Sequence, residues 1–200
     1  MKSAIAHLVS TVPYSQSRHY ADEVPKLEKE LHGAYEERTW RSRMHVTPDG
    51  FVTIPGSSFA NCIKSAAKRL KLQVPGKGRV EFTKYFEAGI MCTDGITLPI
   101  KAADVPSEKL FVPSDGRPGG GKRVTKYFPR IDSWECDVVF YIFDDIITEN
   151  VFNQVLVAAG MTVGIGRFRP ENRGFYGRFT VKSLKWLDEQ TTLKAIGSAA

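Results

Sequence analysis

Ile54-Pro55-Gly56-Ser57-Ser58-Phe59-Ala60-Asn61-Cys62-Ile63-Lys64-Ser65-Ala66-Ala67-Lys68-Arg69-Leu70 is where the chain changes its hydrophobic period, and that change sets the fold. Before it, Asp49-Gly50 is a turn signal and Phe51 to Ile54 is a short apolar strand. Pro55-Gly56 breaks the strand, and Ser57 or Ser58 is a natural helix N-cap. Phe59, Cys62, Ile63, Ala66, Ala67 and Leu70 then recur at the i, i+3, i+4, i+7 spacing of one apolar helix face. Lys64, Lys68 and Lys71 form a basic stripe on another face, and Pro75-Gly76 ends the pattern.

Working outward, Lys2 to Val12 reads as a first strand, and Tyr14 to Arg43 is dense in charge and poor in periodicity. Lys77 to Phe86 is a basic, aromatic segment that can be read as a hairpin. Ala88 to Thr93 and Ile96 to Ile100 read as two strands around Asp94-Gly95. Lys101 to Arg130 is irregular, centred on Pro118-Gly119-Gly120-Gly121-Lys122-Arg123, and so long a loop is functional or disordered. Cys136 to Phe143 is a buried strand. Thr148 caps a second helix whose Val151, Phe152, Val155, Leu156 and Ala159 face a core, and Tyr176 to Leu184 alternates as a last strand. Without insertions the order is βαββαβ, an α+β ferredoxin-like or RRM-like core with helices over one face of an antiparallel sheet. The expectation is one domain over residues 1–190, with insertions at about 13–50, 75–86 and 101–132 and a flexible tail at 191–200.

Among 200 residues, 42% are apolar and 25% charged, the balance of an ordinary globular protein. No apolar run is long enough for a membrane span, and Met1 to Val12 lacks the features of a signal peptide, so a cytoplasmic location is expected. Cys62, Cys92 and Cys136 fit neither a disulfide framework nor a metal pattern and read as small core residues. The net charge of +6 is local. Lys68 to Phe86 carries six basic residues against one acid, while Asp115 to Arg130 and Val163 to Lys182 each carry five against one. Basic loops of this kind are either solvated surface or a footprint on a polyanion.

The last of these segments contains Gly164-Ile165-Gly166-Arg167-Phe168-Arg169-Pro170-Glu171-Asn172-Arg173-Gly174-Phe175-Tyr176-Gly177-Arg178-Phe179, with four glycines, four arginines and four aromatics. Glycines allow close backbone approach, arginines grip phosphate as a fork of donors, and aromatics stack on bases. Glu171 is the single acid nearby, which favours phosphate binding by Arg167, Arg169, Arg173 and Arg178 over a purely structural turn. The loop follows a helix, so it is not a dinucleotide fingerprint, and no Gly-Lys-Ser/Thr ends it. The helix start at Ser57 and Ser58 is either a plain cap or an anion site, with Lys64 and Lys68 extending it. Arg79, Lys84 and Tyr85, and likewise Lys122, Arg123, Lys126 and Tyr127, interleave charge with aromatics in the manner of a single-strand track. Tyr85, Tyr127 and Phe128 are the stacking or wedge candidates.

Catalytic signals are sparse. His19, in a Tyr/Arg/Ser-rich stretch, can act as an acid or base near a phosphodiester, and Asp22 with Glu23 can hold a metal ion. A plain surface reading accounts for these better, and Asp144-Asp145 reads as a turn. No cofactor and no metal site is expected.

The segment Ile54 to Ser65 resembles the strand-loop-helix of the RAMP superfamily of CRISPR-associated proteins, particularly its backbone subunits: an apolar residue, Pro-Gly-Ser-Ser, an apolar residue, then a basic one. The loop Gly164 to Phe179 is similar to that superfamily's C-terminal glycine-rich loop, and the order and spacing of the two motifs match. The resemblance implies an RNA-binding subunit that assembles with copies of itself along a single strand, with Lys77 to Phe86 or Arg117 to Arg130 as a thumb. Some relatives cleave RNA with an aspartate in the loop after the first strand, where Asp22 stands here in a different context. Tyr14-Ser15-Gln16-Ser17-Arg18-His19 is similar to phage and prophage proteins, which implies a stand-alone relative. The expected function is sequence-tolerant binding of single-stranded nucleic acid, RNA ahead of DNA, through the glycine-arginine loop and the helix N-terminus, without catalysis and by a homo-oligomer. An endoribonuclease and a phage structural or assembly protein are the alternatives.

Overall fold

The computed structural model describes residues 1–20, 23–114 and 121–187. The class is α+β, as expected. Four strands, β1 (Lys2–Ser10), β3 (Ile90–Met91), β7 (Glu135–Ile142) and β8 (Phe179–Leu187), form an antiparallel sheet in the order β3-β7-β1-β8. The long helix α2 (Gly56–Leu70) follows β1, and α4 (Glu149–Ala158) joins β7 to β8. The central elements therefore run β1, α2, β3, β7, α4, β8, the expected succession. Register follows from the two-residue alternation along β1 and β7. Ala4, Ala6 and Leu8 are fully buried opposite Phe140, Val138 and Cys136, while Ile5 and His7 face the other side.

The core is aromatic. Phe152 of α4 sits 5.3 Å from Phe140, 5.8 Å from Trp186 and 6.5 Å from Phe86, centroid to centroid. Phe59 of α2 meets Trp134 at 6.1 Å and Phe179 at 6.3 Å, both nearly edge-on. The Thr148 hydroxyl caps α4 by accepting from the Val151 N–H at 3.4 Å, as its place in the sequence predicts.

Several expectations change. Residues 83–89 form a helix, α3 (Thr83–Gly89), which leaves β3 only two residues long where a strand over Ala88 to Thr93 was expected. β3 does not pair with β4 (Ile96–Lys101). β4 pairs instead with β2 (Phe51–Ile54), the strand that runs directly into α2. The hairpin read into Lys77 to Phe86 is only a closed loop, held by a Gln73–Glu81 bridge and ending in α3, because Phe82 and Phe86 turn into the core. The hairpin lies in the region read as irregular: β5 (Ser107–Pro113) and β6 (Arg123–Pro129) pair along their whole length. Within the polar segment, α1 (His32–Thr39) and a 3₁₀ turn (Trp40–Arg43) pack beneath β6. The expected tail at 191–200 lies outside the described residues.

Candidate nucleic-acid interface

The strand β2 ends at Ile54 and the helix begins at once. Pro55, at φ −60°, is the residue before the first turn, and no side chain caps α2. Ser57 and Ser58 therefore stand inside the first turn, not at the cap expected of them. The handover is this abrupt because Gly56 is pressed against the chain after β3. A Cβ there would lie 2.5 Å from the Asp94 carbonyl oxygen and 2.8 Å from that of Cys92. The first turn of α2 is thus left with backbone N–H groups, two hydroxyls and no acid, which is the polarity an anion meets at a helix start.

The glycine-arginine loop comes back to this helix end. Beyond α4 the chain makes one π turn, Ala159–Val163, then leaves at Gly164 with φ +72°. Arg167 N–H donates to the Ser15 carbonyl at 2.8 Å, Gly177 N–H to that of Pro13 at 2.8 Å, and Ile165 N–H to that of Gly177 at 2.9 Å. The loop is thereby tied both to residues 13–15 and to itself. Between it, residues 14–17 and the start of α2 lies an open cleft of about 890 Å³. Ser57, Ser58, Arg167, Arg169 and Arg173 all line it, so two motifs more than a hundred residues apart meet at one place.

The four arginines differ in what they do. Arg169 donates to Glu171 at 2.8 and 2.9 Å and to the Gly166 carbonyl at 3.1 Å, which holds the loop in shape. Arg178 donates to the carbonyls of Met161 at 3.0 Å and Phe175 at 3.1 Å and does not line the cleft. Backbone carbonyls as well as Glu171 thus answer charges that the sequence left without partners. Arg173 is exposed in the cleft, with no hydrogen bond or ion pair to its guanidinium among the described residues. Arg167 is half-buried over two rings, 4.4 Å from the Phe128 centroid and 5.1 Å from that of Phe168. Burial, and then the neighbouring Arg43, holds its guanidinium below the usual arginine range, while Glu36 acts in the opposite direction.

Sequence reasoning missed other parts of this cleft. Asn61 and Ser65 continue the polar wall from Ser57 at i+4 intervals, a signal that was available in the sequence. Gln16, Ser17 and His45 are brought in from the polar insertion, where no local pattern marks them. Burial, with Arg18 nearby, lowers the pKa of His45, so the imidazole is neutral at pH 7. Behind Ser17, Arg43 is paired with the buried Glu36 and donates to the Ser17 hydroxyl at 3.3 Å.

The remaining candidates lie elsewhere. Lys64 and Lys68 follow Ser57 along one edge of α2, with Lys68 about 16 Å beyond it, outside the cleft wall. Arg79 is exposed after α2, and Lys84 lies 4.9 Å over the half-buried Tyr85 ring on α3. Lys122, Arg123, Lys126 and Tyr127 belong to the β5–β6 hairpin. Arg123 stacks 5.4 Å over Phe111, and Lys126 donates to the Ser114 carbonyl at 3.3 Å. Phe128 is not a free wedge. It is 1% exposed and serves as the platform between Arg43 and Arg167. His19 is exposed and does not line the cleft, and Asp22 lies outside the described residues. Cys62 and Cys92 are buried, and burial pushes the Cys92 and Cys136 thiols up to about 12. Among the described residues no cluster of three or more His, Cys, Asp or Glu suits a metal ion, and no helix is long and apolar enough to cross a membrane.

No protein-family model and no curated protein matches the sequence. Among solved structures, a chain of the Type III-B Cmr-beta complex bound to cognate target RNA is similar over 94% of this chain and 61% of its own length, at 8% identity and a TM-score of 0.46. Cmr6 from Pyrococcus furiosus is similar over 90% of this chain and 99% of its own, at 11% identity and a TM-score of 0.45. A chain of a CRISPR RNA-guided surveillance complex is similar over 93% of this chain and 68% of its own, at 10% identity and a TM-score of 0.40.

Proposed function

We propose that this protein binds single-stranded nucleic acid, RNA foremost, by its sugar-phosphate backbone in the cleft between α2 and the glycine-arginine loop. One observation carries the reading. Arg167, Arg173 and the uncapped first turn of α2 converge on one open cleft whose one carboxylate among the described residues, Glu171, is already engaged by Arg169. Such a site attracts a polyanion. Lys64 and Lys68 along α2, and the basic β5–β6 hairpin, extend the track to either side. Burial along β6 falls from Phe128 toward Arg123, so the Arg123 end of that strand is available as a wedge between bases. Copies assemble along the strand, and the exposed Met161 and Phe175 beside the loop are apolar surface for a neighbour to cover.

The test is fluorescence anisotropy with single-stranded RNA, single-stranded DNA and duplex DNA at two salt concentrations, with light scattering on the same samples. The expected result is tighter binding to single strands, a loss of about 0.7 log units in affinity per phosphate contact per log unit of salt, and a mass that grows with strand length. Equal affinity for heparin and for every nucleic acid would favour a protein partner with an acidic surface. Cleavage is the second reading, and His45 favours it as the neutral imidazole in the cleft. Labelled RNA left intact by the wild-type protein, with and without Mg²⁺, removes it.

A further inference from the structure

The wall of the cleft formed by residues 15–17 is built for something a phosphate cannot supply. Among the described residues, six buried side-chain nitrogen or oxygen atoms have no hydrogen-bond partner. Five of them lie in or next to this wall: both amide atoms of Gln16 and Arg167 Nε belong to residues that line the cleft, while Ser15 and Arg43, with Oγ and Nε unpaired, adjoin it through hydrogen bonds to Arg167 and Ser17. Gln16 is the sharpest case. It is 3% exposed, it lines the cleft, and neither its Nε2 nor its Oε1 is engaged. A buried amide without partners is costly, so the arrangement is incomplete as it stands. Both amide atoms are buried as the structure stands, so contact with a ligand requires the side chain to turn toward the opening.

The missing partner has a defined chemistry. A phosphodiester offers acceptors only, and it can satisfy Arg167 Nε or Gln16 Nε2 but not Gln16 Oε1. A group with a donor beside an acceptor satisfies both ends of the amide, and the edge of a nucleobase is such a group. A stacking surface stands next to it. Phe168 lines the same cleft with its backbone in the left-handed region at φ +58°, and the Arg167 guanidinium lies 5.1 Å from its ring centroid. A cleft of about 890 Å³ has room for a whole nucleotide.

We propose that one nucleotide of the bound strand enters this cleft, its base stacked at Phe168 and Arg167 and its edge read by the Gln16 amide. This rests on the strand-binding reading above and adds to it one base-selective position on a track otherwise directed at phosphates.

The experiment compares oligo(A), oligo(C) and oligo(U) RNA of roughly 15 nucleotides, within the usual span of a single-strand site, by anisotropy on the wild-type protein and on Gln16→Met. The wild type should separate the tightest from the weakest by about fivefold or more, the low end for a bidentate base contact. Gln16→Met should bring all three to within about twofold of the weakest, while thermal melting shows the variant as stable as the wild type. If Gln16→Met fails to fold, Gln16→Glu, which keeps the shape and removes the donors, should abolish the preference instead. Wild-type affinities equal for the three, or a preference that survives the folded variant, overturns the base-reading role and leaves the strand-binding reading standing. Equal affinity for the three RNAs with weaker binding of their deoxy counterparts assigns the amide to the ribose and likewise overturns it. No binding of any oligonucleotide overturns both readings together.

Discussion

Arg173 and Arg169 stand four residues apart in one loop and have different duties. The Arg173 guanidinium is exposed to the cleft, so Arg173→Ala should weaken strand binding and lower the salt dependence by about 0.7, leaving the melting temperature unchanged. Arg169 is engaged by Glu171 and the Gly166 carbonyl, so Arg169→Ala should lower the melting temperature by several degrees, consistent with a loss of about 1 kcal/mol for a half-exposed network. Calorimetry beside anisotropy separates the two, and equal effects of both variants on stability would contradict this division. Away from the cleft, hydrogen bonds from Arg38, opposed by burial and aided by the Leu27 N–H, hold the Glu30 carboxyl at about 2. Its folded value lies below the ordinary 4.5, so the stabilisation is present above that pH and is lost as pH falls toward 2. Glu30→Gln should therefore be less stable than the wild type at pH 7, with the gap closing by about pH 2. A gap that stays constant in melts across that range would show the pair to be inert.

At the scale of elements, the loop between α4 and β8 is a fixed structure that holds arginines in place. Gly166 has φ +72°, and a Cβ on it would run into the Ser15 carbonyl and the Tyr14 ring. Gly166→Ala is therefore strained in two ways and should destabilise the protein by about 2–4 kcal/mol, read as a shifted urea midpoint. Because residues 14–17 and 165–167 form two walls of one cleft, the surviving folded fraction should also bind more weakly. A variant as stable as the wild type would mean that this contact is not formed. The β5–β6 hairpin is different in kind. Its strands pair only with each other, and it joins the body through α1 and the 3₁₀ turn beneath β6, through Phe128, and through the Tyr176 hydroxyl, which donates to Glu108 at 2.7 Å. Its Phe128 end carries the Arg167 guanidinium, so that end is tied to the cleft.

At the scale of the molecule, the proposed binding surface and the core are separate. The aromatic core around Phe152 lies between α4 and the sheet, while the basic groups line the outside of α2, the cleft and the hairpin. If the strand runs from the cleft onto the hairpin, Lys122→Ala should reduce the salt dependence of binding by about 0.7 with no change in the melting temperature. An unchanged salt slope would confine the track to the cleft and α2.

The α+β class, both long helices, β1, β7, β8 and the Thr148 cap were legible in the sequence. Each is governed by a local pattern: alternation of two, a repeat of 3.6, or a capping hydroxyl before an apolar run. Two motifs of the cleft were legible for the same reason, since Pro55-Gly56-Ser57-Ser58 and the glycine-arginine loop are each contiguous. The tertiary structure alone decided the rest. That Gln16, Ser17 and His45 stand against Ser57 and Arg167 depends on Tyr14 pairing with Ile131 and on the Ser15 and Pro13 carbonyls accepting from the loop, contacts across more than a hundred residues. Which arginines remain open to a ligand was equally beyond the sequence. Four identical side chains carry the same formal charge, and only the carbonyls, rings and carboxylates folded around them distinguish Arg173 from Arg169, Arg178 and Arg167.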